Sequence, residues 1–177
     1  MDVARLFGGR PLLVLAVLAL GLLAGCARTT VSHLESRPVV AATPTTLPMK
    51  YFRFEFTGKP AGDGYRIQGR AVPVSDDLPP WVDRLEELTL AAYLRSPAGE
   101  VIAESEKPYK GMALGQGAAV PFEFDLSPAG DAAGNYAVSF GYKAIFGSQK
   151  ARNAVAPKGP PPAGAVFFAG EGAVRMQ

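Results

Sequence analysis

The sequence predicts an all-β chain: an antiparallel β-sandwich of six to seven strands, immunoglobulin-like or related. Three observations predict it. Phe, Tyr, Val and Leu recur at every second position in several short runs, the period of a strand with one buried face. Gly and Pro are plentiful, at 20 and 16 of 177 residues, and they cluster between those runs. No long helical period is evident, and strands without long helices between them argue for two packed antiparallel sheets.

Order is expected to begin at Met49 and to run through residues 49–169. In residues 51–57, Phe52, Phe54 and Phe56 alternate with polar residues and share one face. Lys59-Pro60-Ala61-Gly62-Asp63-Gly64 is a turn. Residues 65–74 form the next strand, with Tyr65, Ile67 and Gly69 on one face and Arg66, Gln68 and Arg70 on the other. Asp76-Asp77-Leu78-Pro79-Pro80 breaks it. After that, Trp81, Leu85, Leu88 and Ala92 fit a helix, while Leu88, Leu90, Ala92 and Leu94 fit a strand. The strand is preferred, because Ser96-Pro97-Ala98-Gly99 then closes a hairpin onto residues 101–105. A short helical turn at 81–86 is compatible with it.

Residues 107–117 read as a loop. Val120, Phe122, Phe124 and Leu126 alternate again, and Pro121 marks an edge or a strand start. The Phe52, Phe54 and Phe56 rings and the Phe122 and Phe124 rings are expected to point inward from facing sheets. Tyr136, Val138, Phe140, Tyr142 and Ala144 give the longest strand. The approach to it, Asp131-Ala132-Ala133-Gly134-Asn135-Tyr136, is similar to the approach to strand F of immunoglobulin-like domains. It has one extra residue between Asp and Gly and no antibody-type Cys, so it supports the architecture and not that family. Residues 147–164 are a proline-rich loop, residues 165–169 return as an edge strand, and residues 170–177 are a frayed tail.

The N-terminus has a different composition. Arg5 and Arg10 precede an apolar run, residues 11–23, which ends in Leu23-Ala24-Gly25-Cys26. A basic opening, an apolar run and small residues make a signal peptide, here residues 1–25. The run is shorter than the ~20 apolar residues of a spanning helix. Leu-Ala-Gly-Cys resembles the bacterial lipobox. That resemblance implies a diacylglyceryl group on the Cys26 sulfur, cleavage just before Cys26, and acylation of the freed amine. One acyl chain binds a membrane marginally, at ~0.8 kcal/mol per methylene, whereas two or more anchor stably. Ala27 stands where an Asp would retain an enterobacterial lipoprotein at the inner membrane, which favours the periplasmic face of the outer membrane. Residues 26–48 carry Pro38, Pro44 and Pro48 and no apolar period, so they read as a flexible, solvated tether.

Composition narrows the chemistry. Removing 25 of 177 residues leaves 152, enough for one domain with its own core. Cys26 is the only cysteine, so no disulfide forms within the chain. A formal charge of +2 gives no reason to expect nucleic acid. The only histidine, His33, lies in the expected tether, so the folded part has no imidazole base for a Ser-His-Asp or Cys-His centre. Zinc ligands are missing for the same reason. Asp76-Asp77 and Glu86-Glu87 are paired acids of the kind that hydrolyse glycosides, but adjacent acids on a surface are ordinarily solvated. Asp76, Asp77 and Asp83 offer oxygen for calcium at a spacing that matches no calcium loop. Residues 111–117 are glycine-rich but lack the Lys-Ser/Thr of a phosphate loop. Lys143, Lys150, Arg152 and Lys158 form a basic cluster, read either as a solvated loop or as contact with anionic head groups or an acidic partner. No enzyme, cofactor or metal is expected.

One family shares the order of these segments. Ile67-x-Gly69, Leu78-Pro79-Pro80, Leu88-Thr89-Leu90, Val101-Ile102-Ala103-Glu104, Val120-Pro121-Phe122-x-Phe124-x-Leu126 and Tyr136-Ala137-Val138 follow one another. This resembles the YscW/YbaY-type lipoproteins, which include pilotins of type III secretion. The chain is longer than that pattern between Pro80 and Leu88, and residues 147–164 look like an insertion. The resemblance implies a lipidated sandwich that binds or chaperones another envelope protein and brings no catalytic residues. A structural lipoprotein within an envelope complex and a periplasmic carbohydrate-binding module are the alternatives. Exposed aromatics on one sheet face would favour the last, and an open apolar groove or a bare edge strand the first. The segment 165–169 is expected to cover an edge or groove and to yield to a partner.

Cys26→Ala is expected to abolish acylation. Metabolic labelling with a fatty acid checks it, and label on that variant would overturn the lipobox reading.

Overall fold

A computed structural model describes residues 28–128, 134–153 and 166–176. The strands are β1 (Arg28–Thr30), β2 (Arg37–Pro38), β3 (Thr45–Pro48), β4 (Phe52–Ala61), β5 (Gly64–Pro73), β6 (Arg84–Arg95), β7 (Val101–Ala113), β8 (Val120–Leu126), β9 (Ala137–Gly147), β10 (Val166–Glu171) and β11 (Val174–Met176). One short helix, α1 (Gln149–Asn153), follows β9. The chain divides into two units. Thr30–Val174 is one; Met1–Thr29 with Arg175–Gln177 is the other. β1 and β11 pair as a two-stranded sheet.

The larger unit is an antiparallel sandwich. One sheet has the order β10-β9-β6-β7, with β2 also on β9, and the other has the order β3-β4-β5-β8. The seven strands of six residues or more, β4 to β10, follow the immunoglobulin pattern. β4, β5 and β8 take positions A, B and E, and β6, β7, β9 and β10 take C, C′, F and G. The β4–β5 hairpin turns at Gly62-Asp63, where Gly62 has φ 60°, a left-handed conformation that costs glycine little.

Alternation fills the space between the sheets. Phe52, Phe54, Phe56, Phe122 and Phe124 are all buried, with Phe124 fully so. They do not face one another across the sandwich, because β4 and β8 flank β5 in a single sheet. The facing rings are Phe140, Tyr142 and Phe146 of β9. Phe54 stacks on Phe140 with centroids 4.4 Å apart, and Phe56 and Phe122 meet the same ring at 5.0 and 5.3 Å. Phe52 lies 4.9 Å from the Tyr142 ring.

Four further expectations need correction. The expected tether is folded from Thr30 onward. Val31 and Leu34 are buried against Ala91 and Tyr93, on the outer face of β6. β2 then pairs with β9, Val39 N–H donates to the Tyr136 carbonyl, and β3 pairs with β4 with Leu47 buried. The segment is therefore a strap that passes from one sheet to the other. Scattered Val31, Leu34 and Leu47 had no period of their own because each packs on a different partner. Second, residues 107–113 continue β7 rather than looping, with Tyr109 opposite Leu88 and Met112 opposite Leu85. Their polarity is that of a half-exposed edge strand. Third, of the expected tail, Gly170 and Glu171 complete β10 and Val174–Met176 is β11. Fourth, of the expected loop 147–164, Gly147 ends β9 and Gln149–Asn153 is α1; residues 154–164 lie outside the described residues.

Phe124→Ala should cost about 3–5 kcal/mol in urea unfolding of residues 26–177, as for a fully buried ring. Leu34→Ala tests the strap. It should cost about 2 kcal/mol or more, the lower part of the range for a buried Leu; a solvated tether would show no change.

Candidate functional site

Among the described residues, and apart from the two-residue β2 beside β10 on β9, four strands end the two sheets: β10 and β7 in one, β3 and β8 in the other. An edge strand carries a row of unpaired backbone groups, and proteins usually guard it with Pro, charge or brevity. β7 carries Pro108, Glu106, Lys107 and Lys110. β8 carries Pro121, and the Lys107 ammonium donates to the Glu123 carbonyl. β3 has four residues and ends in Pro48. β10 begins Val166-Phe167-Phe168-Ala169-Gly170, with neither proline nor charge. Its one charge, Glu171, closes the strand and turns inward, so among the described residues 166–170 is the longest stretch of edge without proline or charge.

β10 is firmly seated on its inner side. Phe167 continues the aromatic core, 5.4 Å from Tyr51 edge-on and 6.2 Å from Phe146. Glu171 lies opposite Tyr142, whose hydroxyl donates to its carboxylate at 2.7 Å; the Lys50 N–H donates to the same oxygen at 3.3 Å. Burial pushes the Tyr142 hydroxyl far above the ordinary tyrosine range, and the neighbouring Glu171 carboxylate pushes it the same way. Beyond β10, His33 Nε2 donates to the Gly172 carbonyl at 2.9 Å, and the Ala173 N–H donates to the Tyr93 hydroxyl at 3.3 Å. Gly141 permits this crossing, since a Cβ there would stand 3.0 Å from the Glu171 carbonyl oxygen.

The outer side is open. Phe168 is 69% exposed, the most of any large hydrophobic among the described residues. Ile145 lies across from it and Lys143 across from Gly170. Two phenylalanines in sequence on a strand must point to opposite faces, so Phe167 in the core puts Phe168 outside. That adjacency was the signal available in the sequence, which gave no hint of Glu171, Tyr142 or Tyr93 as the strand's fastenings.

The outer face of the other sheet differs. It holds an open depression of about 690 Å³, bordered by Thr46, Glu55, Gln68, Arg70 and Pro121. Its charges satisfy one another. Arg70 and Arg53 hold the Glu55 carboxyl below its usual range, and Arg66 does the same to Asp125 at 2.7 Å. Phe56 and Phe122, at its floor, are buried.

Cys26 lies outside the described residues. Asp76 and Asp77 are exposed in the turn after β5. Asp83 instead accepts the Gln149 N–H at 2.7 Å, at the start of α1. Glu86 pairs with Arg84 at 3.4 Å, and Glu87 is exposed. Among the described residues no three His, Cys, Asp or Glu gather as a metal site. Lys143 pairs with Glu106 at 3.5 Å and Lys150 is exposed; the Arg152 side chain and Lys158 lie outside the description. Comparison of the chain with family models, with curated proteins and with solved structures found no match.

The raised Tyr142 value has a definite sign. The folded chain holds that proton more tightly than the unfolded one, so stability is intact below about pH 10 and falls as pH rises above it. Burial raises Tyr93 and Tyr109 in the same direction, so they add to the slope. Tyr142→Phe should make the alkaline loss shallower while costing about 1–3 kcal/mol near neutrality. Urea unfolding from pH 8 to 12 checks both.

Proposed function

We propose that the chain is a lipid-anchored envelope lipoprotein whose sandwich binds or chaperones another envelope protein. Acylated Cys26 holds it at the periplasmic face of the outer membrane, and the partner contributes an extended segment that pairs with the outer edge of β10. One observation carries the reading: residues 166–170 of β10 run without proline or charge before the inward Glu171, whereas β7 and β8 carry proline and charge along their length and β3 is four residues ending in proline. Backbone pairing supplies affinity in such complexes, and alternate side chains supply selectivity. Here the partner's outward residues would meet Phe168. The sequence resemblance to YscW/YbaY-type lipoproteins supports the same role.

The seating of β10 changes how the segment works. Displacing it would expose Phe167 and strand Glu171, which accepts two hydrogen bonds. The partner therefore adds beside β10 rather than replacing it.

A photo-crosslinking amino acid at position 168 should yield an adduct with the partner in intact cells, and one at position 68, on the other sheet, should not. Phe168→Lys should weaken co-purification of that partner while changing stability by no more than about 0.5 kcal/mol, as for an exposed site. Equal adducts from both positions would refute the edge.

A further inference from the structure

We infer that the strap leashes the domain to the leaflet that holds its acyl chains, with the outer face of β9 and β10 turned toward the lipid. The inference rests on acylation of Cys26 and is independent of the partner edge. Thr30 already belongs to the folded unit, so only Ala27, Arg28 and Thr29 separate it from Cys26. Whatever their conformation, the four steps from Cys26 to Thr30 span about 14 Å at most. A tether running free to residue 48 would reach about 75 Å. The ten-residue strands of the sandwich are themselves about 33 Å long. The leash is shorter than the domain, so the part of the surface next to Thr30 must lie at the bilayer.

The path of the strap identifies that surface. Val31 is buried on Ala91 and Tyr93, and two residues later His33 is bonded to the Gly172 carbonyl. The leash therefore enters over the outer face of the β10-β9-β6-β7 sheet, at the end of β10. The large exposed hydrophobics among the described residues are Val40, Trp81, Phe168 and Val174. Two of them, Phe168 and Val174, stand four residues before and two after Gly172. Lys143, opposite Gly170, has a side chain 76% exposed, and its pairing with Glu106 is an exposed, weak one that leaves it available to anionic head groups. An apolar ring with a cation beside it suits the boundary between head groups and acyl chains. A consequence is that any segment pairing with β10 runs along the surface of this leaflet.

The test uses the full chain, processed and purified from membranes, with the acyl chains on Cys26 verified by mass. Acylation blocks the only native thiol, so a cysteine introduced by Phe168→Cys or by Gln68→Cys takes a single fluorescent label. In vesicles of phosphatidylethanolamine and phosphatidylglycerol containing nitroxide-labelled lipid, quenching at position 168 should be severalfold stronger than at position 68. A long glycine-serine spacer inserted between Ala27 and Arg28 should remove most of that difference. Equal quenching at both positions on an acylated chain would overturn the inference, and so would a difference that the spacer leaves unchanged. A mass without acyl chains would overturn it at its premise and would leave the partner edge standing.

Discussion

The stack of Phe54 on Phe140 is the contact on which the rest of the sandwich depends. The rings lie 4.4 Å apart and 2° from parallel, and they come from opposite sheets. Phe56 and Phe122 close on the same Phe140 ring, so one side chain of β9 is shared by two strands of the facing sheet. With a single cysteine in the chain, no internal disulfide can join the sheets as one does in antibody domains. Aromatic packing takes that place, with each ring pair adding about 0.5–1.5 kcal/mol beyond the area it buries.

The rings also set the character of the edge. Phe52 meets both Tyr142 and Phe146, and Phe146 meets Phe167, so the cluster's last member lies in the last strand of the sheet. Core packing thereby fixes the register of β10, and register fixes which of its residues turn outward. The exposure of Phe168 is a consequence of burying Phe167. Glu171 shows the same logic in polar form. It points inward on the alternating pattern, and a carboxylate there is tolerable because the Tyr142 hydroxyl and the Lys50 N–H both donate to it.

How much of this was legible in the sequence depended on whether a residue's partners lay within its own strand. Alternation at Phe52/Phe54/Phe56 and at Phe122/Phe124 gave the strands and their buried faces, since that pattern is local. It could not say that β4 and β8 share a sheet, because strand order depends on pairing between distant segments. The strap was hidden for a related reason. Val31 and Leu34 pack on Ala91 and Tyr93, which lie on the outer face of β6, and nothing near residue 31 records that. The signal that did exist was in β6 itself. Leu90 to Leu94 is unbroken by a polar residue, the mark of a strand covered on both faces. The stretch 165–169 was readable as an edge, but its lack of proline and charge gained meaning only once the edges β3, β7 and β8 were known.

The strap ties these parts together. Its Val31–Leu34 stretch covers β6, and its His33 fastens Gly172, one residue past the end of β10. Loosening it would free the carboxyl end of the edge strand and, under the proposed acylation, lengthen the leash. In a sandwich whose termini float free, anchoring and recognition can vary independently. Here residues 31–34 also brace the strand that presents the 166–170 edge, so under the proposed acylation of Cys26 the same few contacts would set both the length of the leash and how rigidly β10 is displayed.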